Sequence, residues 1–157
     1  FNSKMKSLIS LIILSILLTN CGFQPIYNFK NNNFQIIEIK NKNENKNSFS
    51  IENMVMSLSN KDALRKFKLE IDYKQSYKTI LKDNKGDPSK KKLSIIVNLK
   101  VKNEEGNILT NRNFNEEFNY DVQGDKFNMS QYEDNIINNL NNKISNDIIF
   151  LLGTIEW

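Results

Sequence analysis

The sequence predicts an α+β domain: a two-layer sandwich with two helices packed on one face of a four-stranded, mainly antiparallel sheet. Two central stretches alternate strictly between apolar and polar residues, as half-buried strands do. The last stretch instead repeats apolar residues at every fourth position, which is typical of an amphipathic helix. Short turn signals separate the alternating stretches, so neighbouring strands are expected to pair as an antiparallel meander.

The domain is expected to begin with a short strand at residues 34–40, which read FQIIEIK. The polar linker NKNENKNS follows, and Ser50 is then placed to cap a helix that runs through Leu64. One side of that helix carries its apolar residues, Ile51, Met54, Val55 and Leu58.

Three strands are predicted next. The first begins at Lys66, and its apolar parity continues through Tyr77 and Leu81, which predicts a long strand. Gly86 and Pro88 then reverse the chain, and NEEGN at 103–107 is a second hairpin signal. The apolar faces comprise Phe67, Leu69, Ile71 and Tyr73 in the first strand, Leu93, Ile95, Val97, Leu99 and Val101 in the second, and Phe114, Phe118, Tyr120 and Val122 in the third.

The final segment is predicted to be a long helix with Gly153 as its stop. Asparagines, Lys143 and Asp147 are expected on its polar side. Such a helix can lie on lipid or pack on the sheet, and the small number of lysines and arginines on its polar side favours the sheet. The element order is therefore β-α-β-β-β-α. The apolar stripe consists of Tyr132, Ile136, Leu140, Ile144, Ile148 and Leu152, flanked by Ile137 and Leu151.

Composition argues against an enzyme. The 157 residues include no histidine and one cysteine, which removes the usual general base, imidazole metal ligands and an internal disulfide. The adjacent carboxylates of Glu104 with Glu105, and of Glu116 with Glu117, would point to opposite faces of a strand. No catalytic residue, metal ligand or cofactor is predicted.

The N-terminal text has the order of a secretory signal. We take Met5 as the natural start; Lys6 supplies the positive charge, and Leu8 to Leu18 form an 11-residue apolar run. This run is well below the ~20 residues that a membrane-spanning helix needs. Residues 1–20 are therefore predicted to be a signal peptide, with residues 1–4 upstream of the natural start.

The run from Leu18 to Cys21 resembles a bacterial lipobox, although Asn20 stands where the pattern has Gly, Ala or Ser. The resemblance implies that Cys21 is acylated and anchors the chain to a membrane; the alternative is a plain secretory signal with an incidental cysteine. By analogy with lipoprotein sorting, Gly22 after the cysteine favours the outer membrane, with the protein facing the periplasm. Residues 21–33 would then be a tether and 34–157 one domain.

The mature chain would carry 20 basic and 18 acidic residues, since Lys4 and Lys6 leave with the signal. A net charge of +2 does not favour nucleic acid as a partner. Any anionic ligand must instead be attracted by a local patch of charge.

The heptad CGFQPIY, Cys21 to Tyr27, resembles the opening of the lipopolysaccharide-assembly lipoprotein LptE of alphaproteobacterial type, with Ile26 in place of a leucine. The segment from Tyr120 to Leu152 also resembles that family's ending. The resemblance implies a protein that plugs the outer-membrane barrel LptD, assists its assembly and binds lipopolysaccharide. A lipid-anchored adaptor that binds another periplasmic protein, for example a peptide along a sheet edge, is the alternative.

Lipopolysaccharide binding would need cations that face its phosphates. The densest group is Lys90, Lys91 and Lys92, with Lys82 and Lys85 across the same turn. Arg65, Lys66 and Lys68 are expected beside this group, and Lys100, Lys102 and Arg112 on the polar face of the sheet. The alternative for each lysine is a solvated surface residue.

Overall fold

The computed structural model describes residues 33–43 and 45–155 of the chain. The predicted signal peptide, Cys21 and all but the last residue of the predicted tether lie outside these residues. The element order β-α-β-β-β-α and the α+β class are confirmed. The elements are β1 (Phe34–Asn41), α1 (Lys46–Ser57), β2 (Arg65–Lys82), β3 (Pro88–Lys102), β4 (Ile108–Asp121) and α2 (Lys126–Thr154).

The four strands form one mixed sheet in the order β1-β2-β3-β4. β1 runs parallel to β2, with Phe34 opposite Arg65, and α1 makes the crossover that a parallel pair requires. β2, β3 and β4 form the predicted antiparallel meander. The long β2–β3 hairpin therefore determines which charged residues become neighbours.

The core lies between the sheet and the two helices. The predicted apolar residues of β3, from Leu93 to Val101, are fully buried, and those of β2 from Phe67 to Tyr73 are nearly so. α2 contributes Ile144, Ile148 and Leu152, so its apolar stripe packs within the domain as predicted. The opposite face of the sheet is polar, as expected for an antiparallel sheet covered on one side.

The prediction that Ser50 caps the first helix and that the helix reaches Leu64 is wrong. Asn45 is the N-cap: its side chain accepts from the Ser48 N–H at 2.9 Å, and Ser48 Oγ accepts from the Asn45 N–H at 3.0 Å. The helix ends at Ser57 because the next residues bond to β1. Ser59 Oγ accepts from the Ile36 N–H at 2.8 Å, which holds this segment against the sheet.

The terminal helix begins six residues before Tyr132, because Asp125 caps it by accepting from the Phe127 N–H at 2.9 Å. It ends at Thr154, one residue beyond the predicted stop. The expectation that the asparagines fill its polar side is wrong for Asn141, which is buried and donates from Nδ2 to Asn47 O of α1 at 3.3 Å. No helix among the described residues is long and apolar enough to cross a membrane.

Candidate functional site

The free end of the β2–β3 hairpin carries six lysines, which we call the basic hairpin end: Lys78, Lys82, Lys85, Lys90, Lys91 and Lys92. The turn that joins the strands is held by Asp83, whose Oδ1 accepts from the Lys85 and Asp87 N–H groups at 2.8 and 2.9 Å. Gly86 has φ of +87°, a left-handed conformation that glycine adopts without steric cost. This tight turn holds the expected lysines of the two strands at one end of the sheet.

Lys90, Lys91 and Lys92 are all ion-paired. Lys92 Nζ lies 2.7 Å from Glu117 and Lys90 Nζ 3.6 Å from Asp121, both across the β3–β4 pair. Strand alternation turns Lys91 to the helix side, where its Nζ lies 3.8 Å from Glu133 of α2. The three lysines therefore do not form a single cationic face.

Lys78, Lys82 and Lys85 are the exposed cations of this end whose side chains form no ion pair or hydrogen bond within the described residues. Lys78 lies directly opposite Lys92 across β2 and β3. Lys78 is not among the cations predicted above, although its even-numbered position in the alternating strand indicates the polar face. Because Glu117 neutralises Lys92, Lys78 is the member of this opposed pair that is left to meet an anion.

Glu117 is the main counter-charge on this part of the polar face. Hydrogen bonds from Lys92 and Ser94 lower the pKa of its carboxyl, with a smaller contribution from the Lys78 charge. The carboxylate accepts from Lys92 Nζ at 2.7 Å and from Ser94 Oγ at 3.0 Å. Glu117 therefore stays ionised and neutralises Lys92, which leaves Lys78 as the available cation of that pair.

Apolar side chains are exposed among these charges. Leu81 is 55% exposed and lies opposite Lys90 on the polar face. Tyr77 and Phe118 are 48% and 42% exposed but lie on either side of Leu93, so they face the helix side. β1 ends opposite Ile71, so this part of β2 has no neighbour on its outer edge among the described residues. The end of the hairpin thus combines free ammonium groups with apolar surface, a combination that suits an amphiphilic anion.

The prediction that Arg65, Lys66 and Lys68 lie beside Lys90–Lys92 is wrong. In the antiparallel hairpin the start of β2 lies beside the end of β3, and Lys68 is opposite Lys102. Lys66 is 12 residues along β2 from Lys78, a separation of about 40 Å. The sequence-predicted cations therefore lie at two opposite ends of the sheet.

At that far end Arg65 and Lys66 have partners of their own. The Arg65 guanidinium donates to Asn33 O at 2.8 Å, to Ile155 O at 3.0 Å and to Gly153 O at 3.3 Å. It thus satisfies carbonyl groups at the C-terminus of α2, where helices favour cations. Lys66 Nζ lies 3.2 Å from Glu104.

The middle of the polar face holds Glu70 between two lysines. Lys102 Nζ donates to Glu70 Oε1, and Lys100 Nζ lies 3.5 Å from Oε2. The hydrogen bond from Lys102 lowers the pKa of the Glu70 carboxyl despite its partial burial. A cleft of about 200 Å³ lies beside this group, lined by Lys42, Glu70, Asp72, Asn98, Lys100 and Asn111.

The expectation that Arg112 lies on this polar face is wrong. It is opposite Leu99, a core residue, and so faces the helices, where it lines a groove with Asp147. Among residues 33–43 and 45–155 no cluster of acidic residues or cysteine could hold a metal ion. What this arrangement offers chemically is anion binding at the hairpin end.

Solved structures show what this fold resembles, whereas no protein-family model and no curated protein matches the sequence. Rare lipoprotein B from Shewanella oneidensis is similar with a TM-score of 0.55 and 10% identity, over 74% of this chain and 91% of that one. A minor lipoprotein from Acinetobacter baumannii matches at 0.55 and 8%, over 78% and 92%. An uncharacterized lipoprotein B from Nitrosomonas europaea matches at 0.56 and 8%, over 74% and 80%. The shared property is the fold.

Proposed function

We propose that this chain is an outer-membrane lipoprotein of the lipopolysaccharide transport machinery, which plugs the LptD barrel, assists its assembly and binds lipopolysaccharide. The observation that carries the proposal is the fold match to nearly the whole of rare lipoprotein B, a name of the LptE family. The heptad from Cys21 to Tyr27 is a second support, because that resemblance rests on the sequence and not on the fold.

Cys21 is the proposed membrane anchor. Acylation of Cys21 would give the protein two or three acyl chains. That number suffices for stable attachment to the membrane, whereas a single acyl chain binds only marginally. The first described strand begins at Phe34, so 12 residues separate the anchor from the folded domain.

The basic hairpin end is the proposed contact for lipopolysaccharide. Its unpaired lysines Lys78, Lys82 and Lys85 would meet phosphates, and the exposed Leu81 would lie against acyl chains or sugar rings. Lysine binds phosphate as a point charge without the bidentate fork of arginine, so binding should weaken steeply as salt is added.

Co-purification tests the barrel partner. The full-length lipoprotein is extracted from its own membranes with mild detergent and captured through an affinity tag at its C-terminus. The proposal predicts that a large outer-membrane barrel is recovered with it in one-to-one amount. A matched preparation of the Cys21→Ser chain is the control, because it shows how much barrel co-purifies with a chain that has no lipid anchor. Recovery of the acylated protein with no barrel would contradict the proposal.

The open outer edge of β4 favours a second candidate, a lipid-anchored adaptor that binds a protein partner along a strand. β4 pairs only with β3 among the described residues, which leaves one row of its backbone groups free. A periplasmic protein recovered in place of the barrel, and lost when β4 is altered, would support the adaptor.

A further inference from the structure

The outer edge of β4 lacks the features that usually keep strand edges from pairing. Its 14 residues, ILTNRNFNEEFNYD, include no lysine and no proline. The register with β3 is regular from Thr110 to Asp121, with an irregularity only at the start of the strand. Glu117 and Asp121 are neutralised by lysines of β3. Glu116 shares only its Oε2 with Lys143 of α2, so its Oε1 has no partner within the described residues. A long, regular and nearly neutral edge is a template for another strand.

The other free edges of the sheet are protected. β1 has eight residues, a register irregularity between Ile36 and Glu38, and charges at Glu38 and Lys40. The part of β2 beyond β1 carries Lys74, Lys78 and Lys82. Short strands, bulges and lysines are the common ways of blocking edge association, so the contrast singles out β4.

The free backbone groups of β4 belong to its odd-numbered residues. The Val122 N–H donates to Ser89 O at 2.9 Å, so even-numbered positions direct their backbone groups to β3. An added strand must therefore bond to positions such as Asn113 and Asn115. Their side chains are exposed amides on the polar face, which can hydrogen-bond across a new strand pair.

We infer that β4 pairs antiparallel with β4 of a second copy of this chain, about a twofold axis at Phe114, to form a continuous eight-stranded sheet. This register sets Arg112 opposite Glu116 of the second copy, and the symmetry repeats that pair. Lys143 of the same chain holds Glu116 Oε2, so Arg112 would meet Oε1. Registers centred on Arg112 or Glu116 would instead place like charges opposite each other, and those centred on Asn113 or Asn115 would separate the ion pair.

Neighbouring side chains fit the same register. Arg112 forms no ion pair within the described residues, so it is free to meet the second copy. Along the helix side, exposed Ile108 would meet Tyr120, and exposed Phe118 would meet Thr110 of the second copy. Phe114 would meet its own symmetry mate in a non-hydrogen-bonded pair, with Cα atoms about 4.5 Å apart.

Exposed apolar surface lies beside the inferred axis. A groove of about 450 Å³ runs between β4 and α2, lined by Phe114, Leu151 and Phe150, of which Phe150 is 61% exposed. A second copy on the β4 edge brings its own groove next to this one, so both are shielded from water. The inference concerns the free chain and does not rest on the proposed function.

Cross-linking tests the register. In the full chain with Cys21→Ser, held in detergent, an introduced cysteine is the only thiol. Phe114→Cys is expected to form a disulfide-linked dimer, because the distance across the axis suits a disulfide. Phe118→Cys is the matched control: it is an exposed phenylalanine of the same strand, but its symmetry mate is eight residues away along the strand, or about 27 Å. Equal cross-linking at both positions would overturn the inference.

Charge reversal tests the interface without relying on a single variant. Arg112→Glu alone and Glu116→Arg alone each place like charges across the axis, so each chain is expected to sediment as a monomer. Mixed in equal amounts, the two variants regain both pairs and are expected to form a heterodimer. A misfolded variant would not be rescued by mixing. If the unaltered chain is monomeric, or if another segment or protein covers β4 so that mixing has no effect, the inference is wrong.

Discussion

The Tyr120 hydroxyl donates a hydrogen bond to Glu133 Oε1 over 2.5 Å, which ties the end of β4 to the first turns of α2. The same carboxylate lies 3.8 Å from Lys91 Nζ of β3. Burial raises the pKa of the Tyr120 hydroxyl, and the Glu133 carboxylate raises it further. Three elements thus meet at one half-buried polar contact beside the basic hairpin end.

Tyr120→Phe is expected to lower the free energy of unfolding by about 1 kcal/mol at neutral pH, because Glu133 loses its buried donor. The folded-state pKa of Tyr120 lies above the unfolded value near 10, so its contribution is full below that pH and is lost as pH rises through the folded value. Urea denaturation at neutral and alkaline pH measures both effects. Tyr132→Phe is the control, since that hydroxyl forms no hydrogen bond within the described residues; an equal loss there would contradict the assignment.

Glu70→Gln is expected to destabilise the domain by up to about 1 kcal/mol, since Lys100 and Lys102 lose their shared carboxylate. Because Lys102 lowers the folded pKa of Glu70 below its ordinary value of 4.5, the stabilisation is present above that pH and disappears as pH falls through the lowered value. Thermal unfolding from neutral to acidic pH should show the two proteins converging. Glu38→Gln, in an exposed pair with Lys40, should have little effect.

Arg65→Ala is expected to lower the free energy of unfolding by about 1 kcal/mol, because carbonyl groups of Asn33, Gly153 and Ile155 lose their charged donor and water replaces it only in part. Arg65→Lys should recover only part, since an ammonium group cannot reach all three acceptors. Chemical denaturation measures the loss. Lipopolysaccharide binding by the folded fraction should stay unchanged, and a selective loss of binding would return Arg65 to the ligand site.

Replacing the unpaired lysines, Lys78, Lys82 and Lys85, by glutamine should weaken lipopolysaccharide binding several-fold at low salt and leave thermal stability nearly constant. The matched triple variant of Lys90, Lys91 and Lys92 should lose stability as well, because Asp121, Glu133 and Glu117 lose their ammonium partners. Binding to lipopolysaccharide micelles and melting curves separate the two outcomes. Unchanged low-salt binding in both variants would identify the lysines as solvated surface.

Cys21→Ser is expected to leave an uncleaved precursor without acyl chains, because lipoprotein processing requires the cysteine sulfur. Mass spectrometry of the N-terminal peptide and partition into detergent measure the result. Gly22→Ala leaves the thiol in place and should be processed normally. An acylated product of mature length from the Cys21→Ser chain would refute the lipobox assignment.

The elements that the sequence predicted correctly are those in which a regular spacing of apolar residues continues over many positions. Strict alternation from Phe67 to Tyr73 and from Leu93 to Val101 identified buried strand faces, since every second side chain meets the core. The first helix was misplaced because Ser50 and Asn45 are both capable caps. The choice between them depends on how Ser48 and the residues after Ser57 meet β1 and its loop.

The candidate site was predicted in composition but only partly in arrangement. The lysines around the turn do lie together, because a tight turn keeps residues near in sequence near in space. Arg65 and Lys66 do not join them, since an antiparallel hairpin sends the start of one strand to the end of the other. Glu133, which holds Lys91 on the helix side, comes from α2, and no local pattern predicts a contact at that distance along the chain.

By itself the sequence determined the order of the elements, the buried faces of β2, β3 and α2, and the likeness of Cys21 and its neighbours to a lipoprotein opening. These are local properties, set by side-chain period and adjacent residues. The tertiary structure alone decided which lysines are neutralised and that β4 is the unprotected edge. Each of these depends on strand register and on partners distant in the sequence, which only the packed sheet brings within contact.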